Sequence, residues 1–273
     1  MLAKRVLVTL VLLPIGLVII YLGDWWYAGV IALILGLAAW EYVKLYRAAG
    51  LQPARLLVIP GAVLFALARA LNGFESADWM VSLAILAAMT YHLAAYERGR
   101  DRAATDFAVT LGGIFYLGWI GAYMISLRQL PEGLWWLLLA LPAVWLADSG
   151  AYLVGSALGR HKMTRRISPK KSCEGYLSGI AFAVIGGALL ALAWGSLGAD
   201  RSLITPPRGA LLGAVIGSVA ILGDLGVSMI KRQVGIKDSG NLLPGHGGAF
   251  DRIDTWIWAA VVGYYIIVGL FLR

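Results

Sequence analysis

The 273 residues are 60% apolar and only 14% charged, with a net charge of +8. A soluble domain covers its surface with roughly 25% charged residues, so this composition excludes an ordinary soluble fold and makes lipid the main solvent. One cysteine, Cys173, excludes an intrachain disulfide.

No linker, low-complexity tract or internal repeat divides the chain, and one membrane domain over residues 1–273 is expected. A hydrocarbon core about 30 Å thick takes roughly 20 apolar residues per helix. Helices are the default, because the backbone must satisfy its own hydrogen bonds in lipid. The first apolar run, Val6 to Leu22, follows Lys4 and Arg5. It is longer than a signal-peptide core and meets no small-x-small site before Asp24-Trp25-Trp26, so it reads as a retained span. Nine spans are predicted, at about 5–23, 26–46, 56–73, 79–96, 104–127, 133–156, 177–197, 209–230 and 255–272. Trp25, Trp26, Trp79, Trp135, Trp136, Trp194, Trp256 and Trp258 fall near span ends, where amphipathic rings favour the interface.

Nine spans place the termini on opposite sides. With the N-terminus inside, 18 of the 23 Lys and Arg residues fall on the cytoplasmic side, and only Arg69, Arg128, Arg201, Arg208 and Arg273 fall outside. That bias supports an N-in, C-out all-α membrane protein. It also accounts for the net positive charge without nucleic acid.

Two inner segments hold most of the unusual residues. Gly159 to Gly175 carries six Lys or Arg against one acid. As a topogenic loop it would also sit on anionic lipid; as a polyphosphate cradle it would offset a nucleoside triphosphate and a phosphomonoester. Ser228 to Asp254 mixes Lys, Arg and Asp with glycines beside a membrane helix. Glycines let a backbone approach phosphate oxygens, and the acids can hold a hard divalent ion that bridges phosphates. Asp148 and Asp224 lie within apolar runs, where acids usually face a cavity, a partner or a metal. Asp224 and Ser228 share a helix face at i,i+4, with Lys231 one heptad on. Ala151, Gly155 and Gly159 form a small-residue ridge suited to close helix packing.

The second segment resembles the signature of the phosphatidate cytidylyltransferases, the CDP-diacylglycerol synthases. Ser228, Lys231, Arg232, Lys237, Asp238, Gly240, Pro244, His246, Gly247, Gly248, Asp251, Arg252 and Asp254 fit it. Ala249 departs from it, standing where the family has a larger side chain. Upstream, Asp148-Ser149-Gly150-Ala151-Tyr152 resembles the family's Asp-x-Gly-Ala-Tyr stretch, and Ser168-Pro169-Lys170-Lys171 with Glu174-Gly175 its Ser-Pro-x-Lys segment. The motifs occupy residues 145–254.

The resemblance implies transfer of a cytidylyl group from CTP to phosphatidic acid, releasing pyrophosphate. It implies Mg²⁺ on Asp224 and Asp251, with Asp148 and Asp254 nearby, and a second cation such as K⁺. Lys231, Arg232, Lys237, Asp238, His246 and Arg252 join those acids as catalytic candidates. Ser168, Lys170, Lys171, Glu174, Ser228, Gly247 and Gly248 are the substrate-binding candidates. His246 reads as a structural group or a hydrogen-bond donor to phosphate before a general base; His92 and His161 stand in no metal-ligand pattern. A homodimer in a bacterial inner membrane, with its site facing the cytoplasm, belongs to the same implication. The rival readings are a CTP-dependent lipid-alcohol kinase, a cytidylyltransferase for another lipid phosphate, and an anion transporter. The transporter predicts inverted repeats, and the sequence contains none that is recognisable.

Overall fold

The structure, a computed structural model, describes residues 2–236, 239–240 and 247–273; within the first helix it describes the side chains of Leu10 and of Leu12 onward. The candidates Lys237, Asp238 and His246 lie outside the described residues.

The chain is an all-α membrane protein. Eight helical segments are long and apolar enough to cross a membrane. They are α2 (Asp24–Ala48), α3 (Arg55–Asn72), α4 (Ala77–Glu97), the segment Ala103–Arg128, α7 (Gly133–Leu158), α8 (Cys173–Ser196), α9 (Pro206–Gln233) and the segment Phe250–Phe271. These coincide with the last eight predicted spans. The first is also helical, α1 (Leu2–Leu22), and its described apolar stretch is Leu12–Leu22. Ala103–Arg128 comprises α5 (Ala103–Gly113), a π-helical stretch (Ile114–Ile120) and α6 (Tyr123–Arg128). Phe250–Phe271 comprises α10 (Phe250–Ile266) and a π-helical end (Ile267–Phe271).

The helices group into two compact units interleaved in sequence: Met1–Ser126 with Ile230–Ile253, and Leu127–Met229 with Asp254–Arg273. In the first, α2 buries Tyr27, Ile31, Leu35, Ala38, Tyr42 and Leu45, one stripe at helical period. Lipid tails are as apolar as these side chains, so the association rests on close packing and polar links. Gly36 supplies the closeness, since a Cβ there would lie 3.0 Å from Val63 of α3. Gly118 does the same in the π-helical stretch, 3.0 Å from the Ala62 Cα. Asp106 is a polar link: its carboxylate accepts the Gln52 N–H at 2.7 Å and the Arg100 Nε at 2.7 Å. Next to it, Thr110 Oγ1 accepts the Ala54 N–H at 2.9 Å and meets His92 Nε2 at 2.8 Å. At another point the buried Arg69 guanidinium donates to Ser126 Oγ at 2.9 Å and stacks over Phe74 at 3.7 Å.

In the second unit, α7 and α8 pack along the small-residue ridge. A Cβ on Gly175 would sit 2.8 Å from the Ala151 carbonyl oxygen, and one on Gly179 2.6 Å from that of Ala147. The ridge is therefore a packing surface, as its spacing predicts. Gly187 of α8 and Gly209 of α9 abut through their backbones, as do Ala183 and Gly213. Gly223 of α9 abuts the Asp254 carbonyl of α10.

Between α7 and α8 the basic segment forms an antiparallel hairpin, β1 (Lys162–Thr164) and β2 (Ser168–Ser172). Lys162 pairs with Ser172 and Thr164 with Ser168, with an irregularity between the two pairs. Ser172 ends the hairpin and caps α8, its hydroxyl accepting the Gly175 N–H at 3.2 Å.

Candidate active site

The first unit holds one cluster of candidates, built around Asp251 in the opening turn of α10. Asp251 is buried and its carboxylate is surrounded by donors. Lys231, near the end of α9, donates to Oδ1 at 2.6 Å. The Ser239 and Gly248 N–H groups donate to Oδ2 at 2.9 and 3.2 Å. Gly247 makes this approach feasible: its φ is +80°, a backbone state that other residues rarely adopt, and a Cβ there would lie 2.9 Å from Oδ2. Arg232 and Arg252 are exposed on the same two helices.

A second carboxylate, absent from the sequence-derived candidates, faces this cluster. Glu41 of α2 is fully buried. Its Oε2 accepts the Phe250 N–H at 2.9 Å and lies 2.9 Å from Ser239 Oγ. Ser239 Oγ also lies 2.9 Å from Asp251 Oδ2. One hydroxyl proton serves one of these carboxylates at a time, so Ser239 couples them. A Cβ on Gly248 would collide with Glu41 Oε2 and Ser239 Oγ, and one on Gly240 would lie 2.5 Å from Glu41 Oε1. These glycines thus admit a carboxylate of the protein itself. The signal that would have found Glu41 is the one that marked Asp148 and Asp224, an acid inside an apolar run.

The second unit holds the other cluster. Asp224 of α9 pairs through Oδ2 with Lys171 of β2, while its Oδ1 accepts the Ser228 hydroxyl at 3.2 Å. The side chains are 35% and 22% exposed, respectively, so this pair meets solvent more than Lys231 and Asp251 do. Lys170 is exposed and Ser168 half-buried on β2. Glu174 turns back on the hairpin, accepting the N–H groups of Arg160 and His161, each at 3.1 Å, and meeting His161 Nδ1 at 2.5 Å. It therefore shapes the basic hairpin that Lys170 and Lys171 belong to. Asp254 is buried, its Oδ1 accepting the Thr255 N–H at 2.7 Å, and Asp148 is exposed on α7.

Among the described residues, no three His, Cys, Asp or Glu side chains converge to hold a metal ion. Each of the two central acids is instead partnered by a lysine. A Mg²⁺ that arrives with phosphates uses one or two carboxylates and draws its remaining ligands from substrate and water; to bind either acid it would displace a donor now on the carboxylate.

A sequence profile of the Cytidylyltransferase family matches residues 3–270. The chain belongs to that family. It is therefore a nucleotidyltransferase, and the acids and lysines of both clusters fall within the matched region. It is 32% identical over 299 aligned positions to the phosphatidate cytidylyltransferase of Synechocystis, covering 98% of this chain and 97% of that one. It is 38% identical over 270 positions to that of Pseudomonas aeruginosa, covering 93% of each. A phosphatidate cytidylyltransferase of Bacillus subtilis is 38% identical over 161 positions, covering 58% of this chain and 57% of that one.

Proposed function

We propose that this cytidylyltransferase joins CTP to phosphatidic acid, giving CDP-diacylglycerol and pyrophosphate, at the cytoplasmic face of a bacterial inner membrane. The observation that carries this reading is the similarity over 93% of both chains to an enzyme of that name. Both substrates are phosphate anions, and each cluster holds a lysine that could neutralise phosphate charge.

An oxygen of the phosphatidate phosphate attacks the α-phosphorus of CTP, the bond from that phosphorus to the β-phosphate bridge breaks, and pyrophosphate leaves. The attacking group is already an anion, so no base must create it. What the protein must supply is position and charge neutralisation. Lys231 is held by Asp251 and Lys171 by Asp224, so both ammonium groups are oriented before substrate arrives. Lys170, Arg165 and Arg166 are exposed on the hairpin and would receive the polyphosphate. Arg232 and Arg252 would take the leaving pyrophosphate or the lipid head group. The carboxylates of Asp224 and Asp251 are the proposed holders of Mg²⁺, with a second cation such as K⁺ in the same reading. Mg²⁺ bound there would neutralise charge on the phosphates.

The test uses the full chain in mixed micelles with phosphatidic acid, Mg²⁺ and α-labelled CTP, scored for label entering lipid. Transfer should require all three, and Asp224→Asn or Asp251→Asn should reduce it by about 10²-fold or more. Transfer that survives in both folded variants would refute the site. Label entering lipid alcohols from γ-labelled CTP, with none from α-labelled CTP, would replace the reaction with a kinase.

A further inference from the structure

We infer that Glu41, a residue of α2 far from the signature segment in sequence, is a positioning residue that holds Ser239 and the start of α10, and through them Asp251, in place. This rests on the proposed function for its kinetic consequence alone. Three observations converge on it. The carboxylate is fully buried, yet its Oε2 engages two points of the segment, the Phe250 N–H that opens α10 and the Ser239 hydroxyl. Ser239 in turn contacts Asp251 Oδ2 through both its N–H and its hydroxyl. Gly240 and Gly248 lack the Cβ atoms that would displace Glu41, so backbone on both sides closes around one carboxylate.

The arrangement has a cost that packing alone does not explain. Among the described residues no donor reaches Glu41 Oε1, although the atom is buried. A carboxylate in that condition is expensive to bury, and an apolar side chain would fill the same space without the penalty. A carboxylate supplies what an apolar group cannot, an acceptor for the first N–H of α10 and a fixed partner for Ser239. Asp251 is thereby set in one orientation towards Lys231 at 2.6 Å. Glu41 touches neither reacting group; it acts through Ser239 and Phe250.

The experiment compares Glu41→Ala, Glu41→Gln and Ser239→Ala in the full chain in detergent. One readout is the rate of trypsin cleavage within residues 231–252, identified by fragment mass. The other is kcat and KM for CTP, normalised to folded protein. Gln matches Glu in shape and keeps a carbonyl acceptor for the Phe250 N–H. Glu41→Ala should speed cleavage about tenfold or more, because local opening sets proteolysis. It should lower kcat by about tenfold or more with KM within about twofold, the signature of a group that aligns the transition state. Glu41→Gln should recover most of both, and Ser239→Ala should move both in the direction of Glu41→Ala. Cleavage in Glu41→Ala at the wild-type rate would overturn the inference, as would a Glu41→Gln variant cleaved as fast as Glu41→Ala. The expected cleavage pattern with no transfer by the wild-type chain would uphold the positioning role and refute the proposed reaction instead.

Discussion

Two lysine–aspartate pairs of like chemistry differ in their surroundings, and that difference has a consequence for stability. Lys231 and Asp251 have side chains 12% and 6% exposed, with backbone donors completing the acid's shell. Removing one partner of such a buried pair leaves an uncompensated charge and costs about 3–5 kcal/mol. Lys171 and Asp224 are 22% and 35% exposed, and a pair of that kind contributes about 0–1 kcal/mol. Lys231→Met should therefore lower the thermal midpoint markedly, while Lys171→Met should barely move it; thermal unfolding in detergent separates them. Equal effects would show that exposure does not govern these pairs. Both variants should lose transfer activity. The sequence marked Asp224 as an acid within an apolar run and Asp251 as part of a dense pattern of glycines and charges. Glu41 bears the mark that Asp224 does, but it stands alone in α2, between Trp40 and Tyr42, and its partners come from residues some 200 positions later, so its role was not legible.

At the scale of elements, glycines divide into those that neighbouring backbones require and those that face open space. Gly175 and Gly179 place α8 against the carbonyl oxygens of Ala151 and Ala147, which cannot rotate away as a side chain can. Gly175→Ala or Gly179→Ala should destabilise by about 1–3 kcal/mol, the range for overpacking. Gly29 and Gly226 have nothing within 4 Å of a built Cβ, so alanine there should be neutral or slightly stabilising, by about 0.5–1 kcal/mol from helix propensity. Melting curves of the four single variants check this, and a destabilised Gly226→Ala would contradict the packing argument. The Ala151, Gly155 and Gly159 spacing anticipated this contact surface. The hairpin over Lys162–Ser172 was not anticipated, since its composition is that of a solvated basic loop. Its pairing comes from backbone bonds and from Glu174 fastening Arg160 and His161, neither of which leaves a periodic trace in so short a stretch.

For the whole molecule, the proposed orientation makes a direct prediction. Cys173 is the one cysteine in the chain and is exposed at the start of α8. With the N-terminus inside, the segment between α7 and α8 faces the cytoplasm. A membrane-impermeant thiol reagent should label Cys173 in inside-out vesicles and leave it unlabelled in right-side-out vesicles. The reverse pattern would invert the topology and put the basic hairpin on the wrong side for cytoplasmic CTP.

The sequence by itself determined the solvent, the class of the fold and the extent of the helices. Those follow from runs of about 20 apolar residues, a local property that lipid enforces without regard to neighbours. It also marked the two segments that carry charge, and the signature that resembles the family the chain belongs to. The tertiary structure alone decided which lysine meets which acid, that Glu174 shapes the hairpin, and that Glu41 meets Ser239 and the first N–H of α10. Each of these depends on contact between residues distant in the chain, and hydropathy and spacing along a single strand of sequence do not encode which distant groups meet.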